Sequence, residues 1–242
     1  LEQFAAATRD PSGRVQSCRA VPPIAVVTLL WDAQEAGRAA LVPADFQSQA
    51  IGGVHGDHDL LVHRPLSPGE VLRTWVEGRS ASTKGPNAVI TLRYLTTDVR
   101  DQVVAEQLWS TVWLGVSCVD AGEAPTHHRF PDAARARPVG SWHVDVDGEM
   151  ARHYAELSGD WSAHHFDAEA ARRSGADGPF LHGFCSMALC ARAFAETVAG
   201  GDQDRVGRIA LRFARPVLLG ERLTVHFYDA GPLGYAFEAE VN

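Results

Sequence analysis

The strongest constraint on this chain is that it repeats itself. "FAAATRDP" (Phe4 to Pro11) aligns with "YAELSGDW" (Tyr154 to Trp161), aromatic on aromatic, Thr8 on Ser158 and Asp10 on Asp160. Further on, "HRPLSPGEVL" (His63 to Leu72) aligns with "ARPVLLGERL" (Ala214 to Leu223), sharing Arg, Pro, Gly, Glu and Leu. The offsets are 150 and 151, whereas Pro22-Pro23 matches His182-Gly183 at an offset of 160. The first copy is therefore shorter in one loop and longer in the next. Self-similarity at a fixed period means one structural unit built twice.

Each copy reads alike. A polar turn precedes an apolar helix, and in the second copy Phe184, Met187, Ala188, Ala191, Phe194, Ala195 and Val198 recur at helical spacing on more than one side. Runs with strand-like alternation come next: "DLLVHRPL", "VLRTWVEG", "AVITLRYLTTDV" and "VVAEQLWSTVWLGV" in the first copy, "RIALRFARP", "RLTVHFYDA" and "GYAFEAEV" in the second. A helix followed by consecutive strands predicts an α+β fold with antiparallel sheet covering the helix. Residues 119–140, rich in Pro, Ala and charge, read as a linker between an N-terminal unit, 1–118, and a C-terminal unit, 141–242. The second copy lacks a counterpart of "VVAEQLWSTVWLGV" and the first lacks one of "SWHVDVDG". Missing strands leave open sheet edges, so a chain trimmed at both ends is expected.

Composition excludes several classes. A chain of 242 residues with 45% hydrophobic and 21% charged residues is long enough to bury a proper core. Its net charge of −8 argues against a nucleic-acid partner. The longest apolar run, Ile24 to Trp31, is too short to cross a bilayer. Cys18, Cys118, Cys185 and Cys190 show no CxxC spacing and no secretory leader precedes them, which predicts free thiols and a cytoplasmic setting. No nucleophile elbow, phosphate loop or dinucleotide fingerprint is present.

Chemistry concentrates in "SGDWSAHHFD" (Ser158 to Asp167) and "LHGF" (Leu181 to Phe184). Taken singly, Asp160 reads as a turn former, His165 as a hydrogen-bonded structural histidine and Asp167 as the N-cap of a helix over "AEAARRSG". His164, His165, Asp167 and His182 form a local set of metal-ligand types, but adjacent histidines rarely point at one ion and no HxH or HExxH spacing occurs, so no metal is expected.

Together these residues resemble the MaoC-like dehydratase and type 2 enoyl-CoA hydratase family. Its signature runs Y-x-x-[LIV]-[ST]-G-D-x-N-P-[LIV]-H-x-D, followed by "HG" at the head of a helix. Tyr154, Leu157, Ser158, Gly159, Asp160, His165 and Asp167 fit it. Ser162 and Ala163 replace Asn and Pro, and His164 an aliphatic residue. The resemblance implies a double hot-dog, two tandem copies of a central helix wrapped by antiparallel sheet. It implies Asp160 and His165 as a catalytic dyad holding one water against C3 of a trans-2-enoyl thioester, with His165 the main base and Asp160 handling the second proton. Gly183 is the expected oxyanion donor, its alternative being tight helix packing. His164, Ser162 and His182 are expected around the pair, and no cofactor is implied.

The first copy keeps Asp10, but Val15 stands where the base would be, so it is expected to be non-catalytic and to offer room for an acyl chain along "PPIAVVTLLW". The substrate carrier is CoA or acyl carrier protein, with Arg64, Arg73, Lys84, Arg212 and Arg215 as candidate phosphate partners. The family also implies a homodimer. The resulting expectation is reversible, (R)-specific enoyl-thioester hydration. Its alternatives are a hot-dog thioesterase and a non-catalytic acyl-binding subunit.

Overall fold

The computed structural model describes residues 1–11, 13, 15, 21–125 and 129–242. Cys18 and the linker histidines His127 and His128 lie outside the described residues. The chain runs α1 (Glu2–Thr8), a 3-10 helix (Pro23–Leu29), α2 (Trp31–Leu41), α3 (Ala44–Gln49), β1 (Gly52–Val62), β2 (Arg73–Lys84), β3 (Asn87–Thr97), β4 (Val103–Leu114) and the short β5 (Ala121–Gly122). The second half runs β6 (Pro138–Asp145), α4 (Gly148–Ser158), α5 (Ala168–Arg173), α6 (Gly183–Thr197), β7 (Arg208–Arg212), β8 (Arg222–Asp229) and β9 (Tyr235–Val241). Two antiparallel sheets form, in the orders β5-β2-β3-β4-β1-β7 and β6-β8-β9.

The repeat is visible in detail. Thr8 Oγ1 donates to Phe4 O (2.7 Å) and Ser158 Oγ to Tyr154 O (2.8 Å). Both helices then end on a left-handed residue, Arg9 (φ 50°) and Gly159 (φ 82°). Pro22 and His182, each preceding a central helix, have φ/ψ of −56°/137° and −55°/137°. In the two Arg-Pro turns the carboxylate reaches back to a main-chain N–H three residues earlier, Ser67 N to Glu70 (3.1 Å) and Leu218 N to Glu221 (2.7 Å). Strand β7 pairs with β1, from Asp57↔Arg212 to Leu61↔Arg208, so the halves share one sheet.

The central helices differ. α6 is continuous, and every residue from Phe184 to Ala191 is buried, as its all-round apolar pattern predicts. Its counterpart is broken, a 3-10 segment followed by α2. Ile24, Val26, Val27 and Thr28 crowd the preceding turn through their branched Cβ atoms, and Thr28 Oγ1 donates to the carbonyl of Ala25 (2.7 Å). The "PPIAVVTLLW" stretch is mostly core: Ile24, Val26, Val27 and Leu30 are each at most 2% exposed.

The segment 119–140 is more than a linker. β5 pairs with β2, and Pro138 opens β6. A proline at a strand's first position needs no ladder N–H, and so hid the strand start. Strand β1 likewise begins at Gly52, well before Asp59 where alternation first shows. Three glycines obscure the pattern. At Gly56 the strand bulges, shifting register between His55 and Asp57. A Cβ there would lie 2.8 Å from Val112 Cγ2 and 3.2 Å from Ser110 O, so only glycine fits. The bulge lets His55 and His58, three residues apart, face the same interior (ring centroids 5.3 Å apart).

Candidate active site

The polar loop after α4 is shaped by its own side chains. Gly159 turns the chain, and Asp160 Oδ1 accepts from the main-chain N–H (3.1 Å) and hydroxyl (2.5 Å) of Ser162. Asp160 is thus a turn former with one oxygen. Its other oxygen, Oδ2, lies 3.7 Å from Nε2 of His165. The loop then makes a 3-10 turn over Ala163–His165, and Asp167 caps α5 by accepting from Ala170 N (2.7 Å).

His165 is 4% exposed and its Nδ1 lies 2.8 Å from the carbonyl oxygen of Phe180. A carbonyl only accepts, so Nδ1 carries the proton and the neutral ring presents a bare lone pair at Nε2. That nitrogen faces Asp160 Oδ2. Nε2 of His164 lies 3.1 Å from the same nitrogen. The His164 ring lies flat on Phe180 (centroids 4.9 Å apart, planes at 4°). His182 donates from Nε2 to the main-chain oxygen of Asp160 (2.9 Å), pinning the loop to the start of α6, and stacks on His165 (centroids 3.6 Å).

Electrostatics separate these groups. Burial works to raise the Asp160 carboxyl, but His165 beside it, the hydrogen bonds from Ser162 and the nearby His182 outweigh it and hold it at about 2. Burial, reinforced by His165, pushes His164 down to about 4 and His182 to about 3. Near neutral pH the site therefore holds one carboxylate beside His164 and His182 as uncharged imidazoles.

Asp160, His165 and His182 offer ligand atoms within 4.8 Å of one another, near enough to share a cation. The stacked imidazoles lie at only 25° to each other, which runs their in-plane lone pairs side by side instead of converging on one ion.

The loop opens on a cleft of about 330 Å³ whose other walls come from the first half. Trp31, Gln34, Glu35 and Arg38 form a stripe at i, i+3, i+4 and i+7 along α2. Gly53 and His55 of β1 and Trp109, Thr111 and Trp113 of β4 supply a sheet face. Trp31 abuts Gly159, its Cδ1 3.5 Å from where a Cβ on that glycine would lie. Gln34 is held by Tyr94 through its hydroxyl, and Arg38 pairs with Glu35 (2.5 Å). Gly183, the first residue of α6, lines the cleft, as do His164, Ser162 and His182. The expected dyad, Asp160 and His165, therefore meets Gly183 and the three residues expected around it there. Val27 and Trp31, from the stretch expected to border an acyl chain, also line the cleft, whereas Gln34, Glu35, Arg38, His55, Trp109 and Trp113 were not singled out, although the helical spacing of the first three and the alternation of the last two were readable signals. Of the basic residues proposed for phosphate, Arg64 is engaged by Glu70 and Asp98 in the Arg-Pro turn. It braces the fold.

The family model described as MaoC like domain matches residues 127–232. The 3-hydroxyacyl-thioester dehydratase Y of Mycobacterium tuberculosis is 30% identical over 194 residues, covering 78% of this chain and 66% of that protein. The chain thus spans just under two thirds of that relative. A crystal structure of a MaoC-like dehydratase from Phytophthora capsici superposes with a TM-score of 0.81 at 22% identity, over 100% of this chain and 86% of that one. A Mycobacterium tuberculosis protein described as having a double hotdog fold superposes at 0.53 with 18% identity, over 99% and 78%. The two-sheet architecture described above is that fold.

Proposed function

This chain belongs to the MaoC-like dehydratase family, and from that premise we propose that it adds water reversibly to trans-2-enoyl thioesters, or removes it from (R)-3-hydroxyacyl thioesters. The observation that carries the reading is the pair of acceptors, Asp160 Oδ2 and His165 Nε2, 3.7 Å apart with the imidazole tautomer set by the Phe180 carbonyl. One water donating a hydrogen to each presents its oxygen to C3.

In the hydration direction the water oxygen bonds to C3 as His165 Nε2 takes one of its protons. The C2–C3 π electrons move toward the thioester, placing negative charge on the carbonyl oxygen. The N–H of Gly183, at a helix start where no intrahelical acceptor exists, meets that charge. His165 then returns the proton to C2. A carboxylate held at about 2 is a poor proton donor near neutral pH, so Asp160 orients the water and stabilises the imidazolium, and does not deliver the second proton. Oxygen and hydrogen add to the same face.

The proposed division of labour gives the chemistry to residues 141–242 and the acyl pocket to residues 1–118, joined through 119–140. Its support is the cleft, walled by α2, β1 and β4 and ending at the second repeat's loop. The thioester is carried by CoA or acyl carrier protein, and a homodimer completes the proposal, read by its mass in solution. The test is loss of enoyl-thioester absorbance with purified protein. Hydration that disappears in His165→Ala supports the reading, and thiol release without hydration replaces it with a thioesterase.

A further inference from the structure

One cleft-lining imidazole has no part in the chemistry above. His55, from β1 of the first repeat, is clamped by Trp109 (stacked, centroids 4.7 Å), Phe184 (4.8 Å) and Phe213 (4.3 Å). Three aromatic rings leave it little freedom to turn. Its Nε2 is buried without a hydrogen-bond partner among the described residues. Burial, with His58 beside it, lowers its pKa well below the ordinary value, so the ring is neutral. Its other nitrogen, Nδ1, lies 2.9 Å from the point a Cβ on Gly183 would occupy. The same imidazole therefore stands against the helix start where the thioester oxygen is to be held. The Gly56 bulge is what turns it there.

With Nε2 enclosed by the aromatic clamp, Nδ1 at the helix start is the ring nitrogen left to meet a ligand. We infer that His55, as its Nδ1–H tautomer, is a second hydrogen-bond donor to the substrate's thioester carbonyl, completing from the first repeat an oxyanion hole that Gly183 begins in the second. This rests on the hydratase reading and deepens it: the non-catalytic half contributes a group that touches the reacting thioester. No proton is transferred by His55. A neutral donor stabilises the developing enolate without competing with His165 for the water.

The test uses full-length protein with trans-2-enoyl-CoA for rates and 2,4-hexadienoyl-CoA, in an Asp160→Asn background, for the red shift that carbonyl polarisation imposes on the bound chromophore. His55→Phe keeps the ring packing and removes the donor. His55→Asn keeps a donor at the Nδ1 position. The expected result is a fall in kcat of about tenfold or more for His55→Phe with KM little changed, a diminished red shift, and partial recovery of both in His55→Asn. A red shift unchanged in His55→Phe overturns the inference, whatever happens to the rate, because a merely structural role does not polarise the carbonyl. If His55→Phe does not fold, His55→Leu replaces it in the same comparison. Should His165→Ala retain full hydration, the function itself fails. Should it lose hydration while His55→Phe keeps both kcat and red shift, only the second donor is lost.

Discussion

Asp10 and Asp160 occupy the same point of the same turn, one after each equivalent helix, yet their surroundings differ completely. Asp10 is 3% exposed and accepts from the Gln203 side chain (2.6 Å), tying the first repeat's loop to the loop after α6. Asp160 turns one oxygen to Ser162 and the other to an imidazole lone pair. The difference lies in the stretch of chain between each acid and its central helix. Residues 161–181 separate Asp160 from His182, ten more than the 11–21 that separate Asp10 from Pro22. The longer loop carries His164, His165 and the Phe180 carbonyl. An acid is thus a bracket in one copy and half of the proposed water site in the other, and the deciding factor is the loop that faces it.

Several changes break or sharpen this contrast. The largest effect is expected for His165→Ala, which removes the only proposed proton carrier and lowers kcat by about a hundred- to ten-thousandfold, read by enoyl-thioester absorbance. Next comes the paired change at the helix starts. Gly183→Ala puts a Cβ 2.9 Å from His55 Nδ1 and 3.5 Å from Phe213 Cε1, and should reduce kcat/KM by about tenfold or more. Pro23→Ala, its equivalent in the first repeat, should leave kcat unchanged and lower stability by about 1 kcal/mol, mainly through the freer unfolded chain.

A smaller effect concerns the acyl wall. The stripe from Trp31 to Arg38 runs about 10 Å at 1.5 Å per residue, so kcat/KM should rise with acyl length or bulk above crotonyl-CoA. A strict preference for crotonyl-CoA would remove the first repeat from substrate binding. The smallest effect is on stability against pH. His58, at about 4, His164 and His182 are all depressed in the folded chain, by burial first of all. The unfolded chain binds more protons between about pH 4 and 6.5, so stability is full above 6.5 and falls as pH drops through that window. The urea midpoint should be lower at pH 4.5 than at pH 7, and His164→Leu should flatten the difference. An unchanged midpoint contradicts the neutral-imidazole description.

What the sequence showed depended on locality. α6 announced itself because an all-round apolar pattern states its own burial, and Asp160, His165 and "HG" because they lie within one short loop and the helix start behind it. His55 was silent. A histidine among Gly52, Gly53 and Gly56 has no pattern to place it in a strand, and its meaning comes from a bulge and from Gly183 across the repeat interface. The broken helix of the first copy was hidden for a similar reason. "PIAVVTLLW" has helical length and hydrophobicity, while the crowding of its branched side chains decides the local geometry. The cleft walls arise only when β1, β4 and α2 of one repeat meet the loop of the other.

The most direct measurement sets the equivalent acids side by side, following hydration of a trans-2-enoyl-CoA by Asp10→Asn and Asp160→Asn. The account predicts wild-type kcat with a lowered unfolding midpoint for the first, and near-complete loss of turnover with unchanged folding for the second. Equal rates in the two variants, whether both active or both dead while folded, would contradict it.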